Sequence, residues 1–206
     1  MNENCAIDFA TAVSLLKQGD LLEIGQMADA VRRKKHPDNR VSFVVDRNVN
    51  YTNVCESKCR FCAFYRDIDA DDAYVLDEKT IYDKIEELGA HDGTQLLMQG
   101  GLHPGLKIDW FENLFRQIRS RFPTVQIHSL SPAEIIHIAG VSGLEMEECL
   151  ARLHAAGLSS LPGGGAEVLV GDVGNESAVR GYSEINHITA GNQSSGKFFN
   201  IAAGLG

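Results

Sequence analysis

The chain has 206 residues, 44% of them hydrophobic and 23% charged, with a formal net charge of −9. That length suffices for one domain with a sizeable core, and the balance is that of an ordinary globular protein. The acidic balance argues against a general nucleic-acid binder, and no apolar run approaches the roughly 20 residues that cross a bilayer.

The first residues hold no basic stretch leading into an apolar one, so no secretory signal is read there and the expected compartment is the cytoplasm. Phe9, Val13 and Leu16 recur at helical spacing, and Asp20 can cap a second helix that ends at the basic run Arg32–Lys35, before Pro37. The β-branched stretches 41–45 and 49–52 read as strands. A helix begins near Asp77 with Ile81, Ile85 and Leu88 on one face, and residues 94–98 form a strand running into Gln99-Gly100-Gly101. Phe111, Leu114, Phe115, Ile118 and Phe122 stripe the next helix, and residues 125–128 form the next strand. Ser131, Pro132 and Glu134 make a capping box, and Ser142 with Glu145 repeats the pattern before a helix carrying Met146, Cys149, Leu150 and Leu153 inward. Residues 158–161 form a last strand that feeds a glycine-rich run at 163–165 and Glu167.

From residue 49 to 161 strands and helices therefore alternate, which predicts an α/β fold of parallel strands with helical crossovers. In such a partial barrel the chemistry belongs at the C-terminal ends of the strands, where the unusual segments fall. The expected organisation is an N-terminal helical segment over 1–40, a partial barrel over 41–170 and a Gly/Asn/Ser-rich tail over 171–206.

The five cysteines are Cys5, Cys55, Cys59, Cys62 and Cys149, an odd number that disfavours a disulfide scaffold in the expected compartment. Three of them crowd into Cys55-Glu56-Ser57-Lys58-Cys59-Arg60-Phe61-Cys62. Thiolates are the usual ligands of iron–sulfur clusters, whereas zinc takes four ligands and no fourth cysteine or histidine lies nearby. Three thiolates on a cubane leave one iron open to an exogenous ligand. Cys149 lies on an apolar helix face and reads as a small core residue.

The spacing Cys55, Cys59, Cys62, with the aromatic Phe61 before the last cysteine, resembles the defining motif of the radical S-adenosylmethionine (SAM) superfamily. The resemblance implies a (β/α) TIM-type barrel and a [4Fe–4S] cluster held by Cys55, Cys59 and Cys62. It also implies SAM on the open iron and an external electron donor. Gly100 and Gly101 resemble the family's glycine pair, whose backbone receives the SAM amino group; the alternative is a plain strand-to-helix turn. Glu167 is suited to bond a hydroxyl or ammonium of the cofactor, or is a solvated turn carboxylate. His128 reads equally as site or structural, His103 as a loop residue and Glu134 as a cap.

Longer wording narrows the family. Asp46-Arg47-Asn48 through Cys55, the stretch Cys62-Ala63-Phe64-Tyr65-Arg66, Met98-Gln99-Gly100-Gly101-Leu102-His103-Pro104 and the 162–167 run resemble the dehypoxanthine futalosine cyclases of menaquinone biosynthesis. Aminofutalosine synthases and the radical SAM subunits that build the deazaflavin chromophore share much of this wording. The implied reaction is an intramolecular C–C bond formation on a nucleoside-derived small molecule. Hydrogen is taken from the ribose portion, the sugar radical attacks the attached benzoate, and loss of an electron and a proton restores the ring. After about residue 170 the resemblance stops, and the expectation is a truncated or frameshifted chain that is inactive by itself. Two readings of another class remain. One is a non-catalytic iron–sulfur protein. The other is a phosphate-binding loop at Gly191–Lys197, which lacks the Ser or Thr that would follow Lys197.

Overall fold

The computed structural model describes residues 7–59 and 62–162. Phe61, Glu167, the glycine run at 163–165, the tail from 171 and Cys5 lie outside the described residues. The chain divides between Phe43 and Val44 into two compact units.

The first unit holds α1 (Phe9–Gln18) and α2 (Leu21–Lys35). Asp8 caps α1 by accepting from the Thr11 N–H at 2.8 Å, and Asp20 caps α2 by accepting from Leu22 N–H at 2.9 Å. Arg32 to Lys35 fill the last turn of α2, where the carbonyl ends favour cations. Phe9 and Leu16, spaced for one face of α1, are exposed.

Residues 41–45, expected to be a strand, are irregular, and Val41 and Phe43 are exposed. β-Branched residues favour a strand only where a neighbour pairs with it, and the neighbouring strand pairs with the next five residues instead. β1 is Asp46–Asn50, paired in parallel with β2 (Gln95–Gln99), so the strand expected at 49–52 begins earlier and ends at Asn50.

The order continues as α3 (Glu78–Ala90), β2, α4 (Ile108–Arg121), β3 (Gln126–Ser129), α5 (Pro132–Ser142), α6 (Met146–Ala156) and β4 (Leu158–Ser160). The sheet runs β1-β2-β3-β4, all parallel, each strand beside its successor. This is the partial (β/α) barrel that the alternation predicts.

Helical periodicity decides which residues meet the sheet. Val49, Leu96, Met98, Ile127 and Leu158 bury against Ile81, Ile85, Phe111, Phe115, Ile118, Ile135 and Leu153 from the helices. On the opposite strand face stand Asn48, Asn50, Leu97, Gln99, His128 and Ser160, half-buried or exposed. A parallel sheet is ordinarily apolar on both faces, so this face, polar but for Leu97, marks the side that meets something polar.

Caps set the third crossover. The capping box of α5 forms as expected, with Ser131 Oγ accepting from Glu134 N–H and Glu134 Oε2 accepting from Ser131 N–H. The second box does not form: Ser142 ends α5, and Glu145 caps α6 without a side-chain bond. The Ser142 hydroxyl instead accepts from Ile108 N–H at 3.0 Å, tying the end of α5 to the start of α4. Gly143 closes α5 in the left-handed region at φ 69°, a conformation that favours glycine. Arg152 on α6 grips Glu112 on α4 with two parallel bonds of 2.9 and 3.0 Å and reaches Asp109 at 3.0 Å.

Candidate functional site

Three loops leave the C-terminal ends of β1, β2 and β3 side by side, because the strands neighbour one another in that order. The first carries the cysteines, the second Gly100 and Gly101, and the third Leu130 and Ser131.

The cysteine loop is pinned on both flanks by main-chain bonds. Cys55 N–H donates to Arg66 O at 3.1 Å, and Arg66 N–H donates back to Asn53 O at 2.8 Å. Asn53 holds the far strand of the loop through Asp72 O and Tyr74 N–H, each at 2.8 Å. Lys58 pairs with Asp67 across the loop. Within it, Lys58 takes a positive φ of 48°, so a non-glycine residue turns the chain between Cys55 and Cys59. Ser57 Oγ sits 3.2 Å from Cys59 Sγ, and Cys62 N–H donates to Cys59 O at 3.1 Å. Cys55, Cys59 and Cys62 are free and half-buried, as an accessible donor set requires, while Cys149 is free and fully buried.

The glycine turn locks onto this loop. Gly101 N–H donates to Thr52 O at 3.0 Å, and Glu56 N–H donates to Leu102 O at 3.1 Å. A Cβ on Gly101 would lie 2.2 Å from Val54 O and 2.7 Å from Cys55 Cβ, so only glycine lets the turn sit against Cys55. A Cβ on Gly100 would lie 2.6 Å from the Tyr51 ring. Both glycine N–H groups are engaged inside the fold, because Gly100 N–H donates to Glu134 Oε1 at 2.9 Å. An incoming ammonium would therefore be met by the carbonyls of this turn.

Glu134 does more than cap. It is 3% exposed, and its Oε1 also accepts from Tyr51 OH at 2.8 Å. Burial raises its pKa, and the Ser131, Gly100 and Tyr51 donors pull it back down. Burial together with the facing carboxylate also holds the Tyr51 phenol well above its ordinary range, so it stays a donor. Leu130, buried at the end of β3, takes φ 66°. That left-handed turn costs on the order of 1–3 kcal/mol for a leucine and persists only where the surroundings impose it. Here its N–H is held by Met98 O at 3.0 Å. The turn directs Ser131 and Glu134 back toward the glycine loop.

His128 faces the polar side of the sheet, its Nδ1 2.6 Å from Ser160 Oγ on β4. His103 accepts at Nδ1 from Gly105 N–H at 2.9 Å, and the His137 ring lies 3.0 Å from His103 O. Burial lowers the pKa of both His103 and His128. Tyr51 and the Glu134 hub escaped the sequence reading, since a Glu at the third helical position looks complete as a cap.

Among the described residues no three His, Cys, Asp or Glu side chains converge at metal-site separations. The fit to a cluster therefore rests on donor chemistry: three free, half-buried thiols in one loop, soft ligands of the kind iron–sulfur clusters use. No helix among the described residues is long and apolar enough to cross a membrane.

Comparison with known proteins follows the same lines. The profile of the radical SAM superfamily matches residues 49–166. The cyclic dehypoxanthine futalosine synthase of Halalkalibacterium halodurans is 49% identical over 158 residues, covering 77% of this chain and 43% of that protein. The 5-amino-6-(D-ribitylamino)uracil–L-tyrosine 4-hydroxyphenyl transferase of Thermosynechococcus vestitus is 41% identical over 155 residues, covering 73% of this chain and 39% of that protein. The chain thus spans less than half the length of these curated relatives. Among solved structures, HydG, a maturase of the [FeFe]-hydrogenase, superimposes with a TM-score of 0.51 at 15% identity, over 89% of this chain and 47% of that one; it is a likeness of fold. With the profile spanning both the cysteine loop and the parallel strands that carry it, the chain belongs to the radical SAM superfamily.

Proposed function

We propose that this chain is the cluster- and SAM-binding part of a radical SAM cyclase acting on dehypoxanthine futalosine. The observation that supports it most is the seating of the cysteine loop on Gly101, within a chain 49% identical to a cyclic dehypoxanthine futalosine synthase. In this reading Cys55, Cys59 and Cys62 ligate three irons of a [4Fe–4S] cluster, and SAM occupies the fourth. Bound together and supplied with an external electron, the pair provides a hydrogen-abstracting radical.

This chain's own residues would position that chemistry. The Gly100–Gly101 carbonyls accept from the SAM ammonium. Phe61 is assigned to the cofactor's binding set, and Glu167 bonds a hydroxyl or ammonium of the cofactor. The polar row of Asn50, Gln99, His128 and Ser160 receives the hydroxyl-rich substrate. Burial keeps His128 neutral near neutral pH and thus able to accept a proton.

The test is an anaerobic assay with SAM and a reductant on this chain joined to the remaining length of the Halalkalibacterium halodurans synthase, scoring 5′-deoxyadenosine and the cyclised product together. Formation of both from dehypoxanthine futalosine supports the cyclase. The transferase relative gives a second reading, so 5-amino-6-(D-ribitylamino)uracil with L-tyrosine is supplied in parallel. Coupling of those two instead would replace the cyclase assignment while keeping the cofactor chemistry.

A further inference from the structure

We infer that Glu134 is a positioning residue for the SAM-binding turn: through Gly100 N–H and Tyr51 OH it holds Gly100 and Gly101 against the Cys55 loop. The inference rests on the assignment of that turn to SAM made above.

A capping box needs only one carboxylate oxygen, and here Oε2 fills that role with the Ser131 N–H at 2.6 Å. It does not require burial, because a solvated Glu or Gln serves as well. Glu134 is nonetheless buried, and a buried carboxylate is costly unless its oxygens are fully bonded. The second oxygen collects two donors from elsewhere in the chain, Gly100 N–H at 2.9 Å and Tyr51 OH at 2.8 Å. These donors stand at the ends of β2 and β1, and Glu134 itself follows β3. One carboxylate therefore joins the ends of three consecutive strands.

The consequence reaches the cysteines within one peptide unit. Gly100 is clamped between the Glu134 oxygen and the Tyr51 ring. The next residue, Gly101, abuts Val54 O and Cys55 Cβ and donates to Thr52 O at 3.0 Å. Rotating the Gly100 peptide turns the carbonyls proposed to meet SAM and moves Gly101 relative to Cys55. The crevice behind the turn, lined by Tyr51, Gly101, His103, Glu134 and His137, has no room for a water molecule. Glu134 therefore acts through the turn rather than by touching a ligand there.

The experiment uses the full chain, reconstituted anaerobically with iron and sulfide. It reads three quantities: iron per chain, the melting temperature, and the SAM dissociation constant from the change SAM makes in the EPR spectrum of the reduced cluster. The variants are Glu134→Ala, Glu134→Gln, Tyr51→Phe and Ser131→Ala. Glu134→Ala is expected to keep the iron content yet weaken SAM binding about tenfold or more, the scale on which outer-shell partners act. Glu134→Gln, which can still accept from Gly100, should recover most of that loss. Ser131→Ala removes the cap hydroxyl and leaves Oε1 untouched; it should lower the melting temperature and leave SAM affinity within about twofold. If Glu134→Ala fails to fold, Tyr51→Phe decides, because it keeps the ring and deletes only the hydroxyl. Weakening of about fivefold then supports the inference. Unchanged SAM affinity in Tyr51→Phe or Glu134→Ala at native iron content overturns it, as does a loss in Ser131→Ala equal to that in Glu134→Ala. If the unmutated chain holds its cluster and SAM leaves the spectrum unchanged, the SAM-site assignment fails and the inference with it.

Discussion

The free cysteines of the described chain are chemically unequal. Cys149 is fully buried, and burial pushes its thiol up to about 11. The thiolate is the reactive and metal-binding form, so Cys149 is inert where the half-buried Cys55, Cys59 and Cys62 are not. Iodoacetamide treatment of the native, metal-free chain at about pH 8 should alkylate those three and spare Cys149 until denaturant is added. Peptide mass spectrometry checks it; early labelling of Cys149 would contradict the packing of α6. Gly101 offers a second test. Alanine there places Cβ 2.2 Å from the Val54 carbonyl, a main-chain atom that cannot swing away. Gly101→Ala should therefore displace the cysteine loop and reduce iron incorporation, measured as iron per chain. At this scale the cysteine motif was legible because its spacing is local. The hub at Glu134 was not, because Gly100 and Tyr51 lie 34 and 83 residues away in sequence.

The helices were legible wherever an apolar stripe and a cap agreed. Asp77 caps α3 by accepting from Thr80 N–H at 2.7 Å, and Ile81, Ile85 and Leu88 are buried as their spacing predicts. Phe115 on α4 is fully buried between the sheet and its neighbours. Phe115→Ala should cost about 3–5 kcal/mol of unfolding free energy by denaturant titration, the range for deleting a large buried ring. Two element-level readings failed for one reason: the deciding partner is remote. Residues 41–45 have strand composition, but β2 pairs with residues 46–50. Ser142 has a cap-like spacing, but its hydroxyl serves Ile108 N–H. Arg152 illustrates the same point, since its clamp on Glu112 ties α4 to α6 and no local pattern announces it. The clamp holds the Glu112 carboxyl below its ordinary pKa, so its contribution is full above the unfolded value and fades as pH falls.

Across the whole sheet, the alternation of strands and helices was enough to predict parallel strands and a site at their C-terminal ends. The polar face was not foreseen, because short strands of mixed composition do not reveal which side the helices cover. Burial of His128 and His103 makes stability depend on pH with a definite sign. Both imidazoles bind protons less tightly folded than unfolded. The unfolded chain therefore takes up more protons below its ordinary imidazole value, about 6.5, and stability falls as pH drops from there through the folded values. Glu134 acts in the opposite direction, because its raised pKa means stability is lost as pH rises from about 4.5 toward its folded value. A difference measurement separates them. The drop in melting temperature between about pH 7.5 and about pH 5.5 should shrink in His128→Gln, and an unchanged drop would show that His128 does not titrate on unfolding. The three-thiolate site is reached most directly by iron and sulfide content after anaerobic reconstitution. The unmutated chain and Cys149→Ala should each hold about four irons and about four sulfides, and Cys55→Ala, Cys59→Ala and Cys62→Ala should each lose them. Zinc alone, about two irons per chain, or a cluster that survives loss of any one of the three would contradict it.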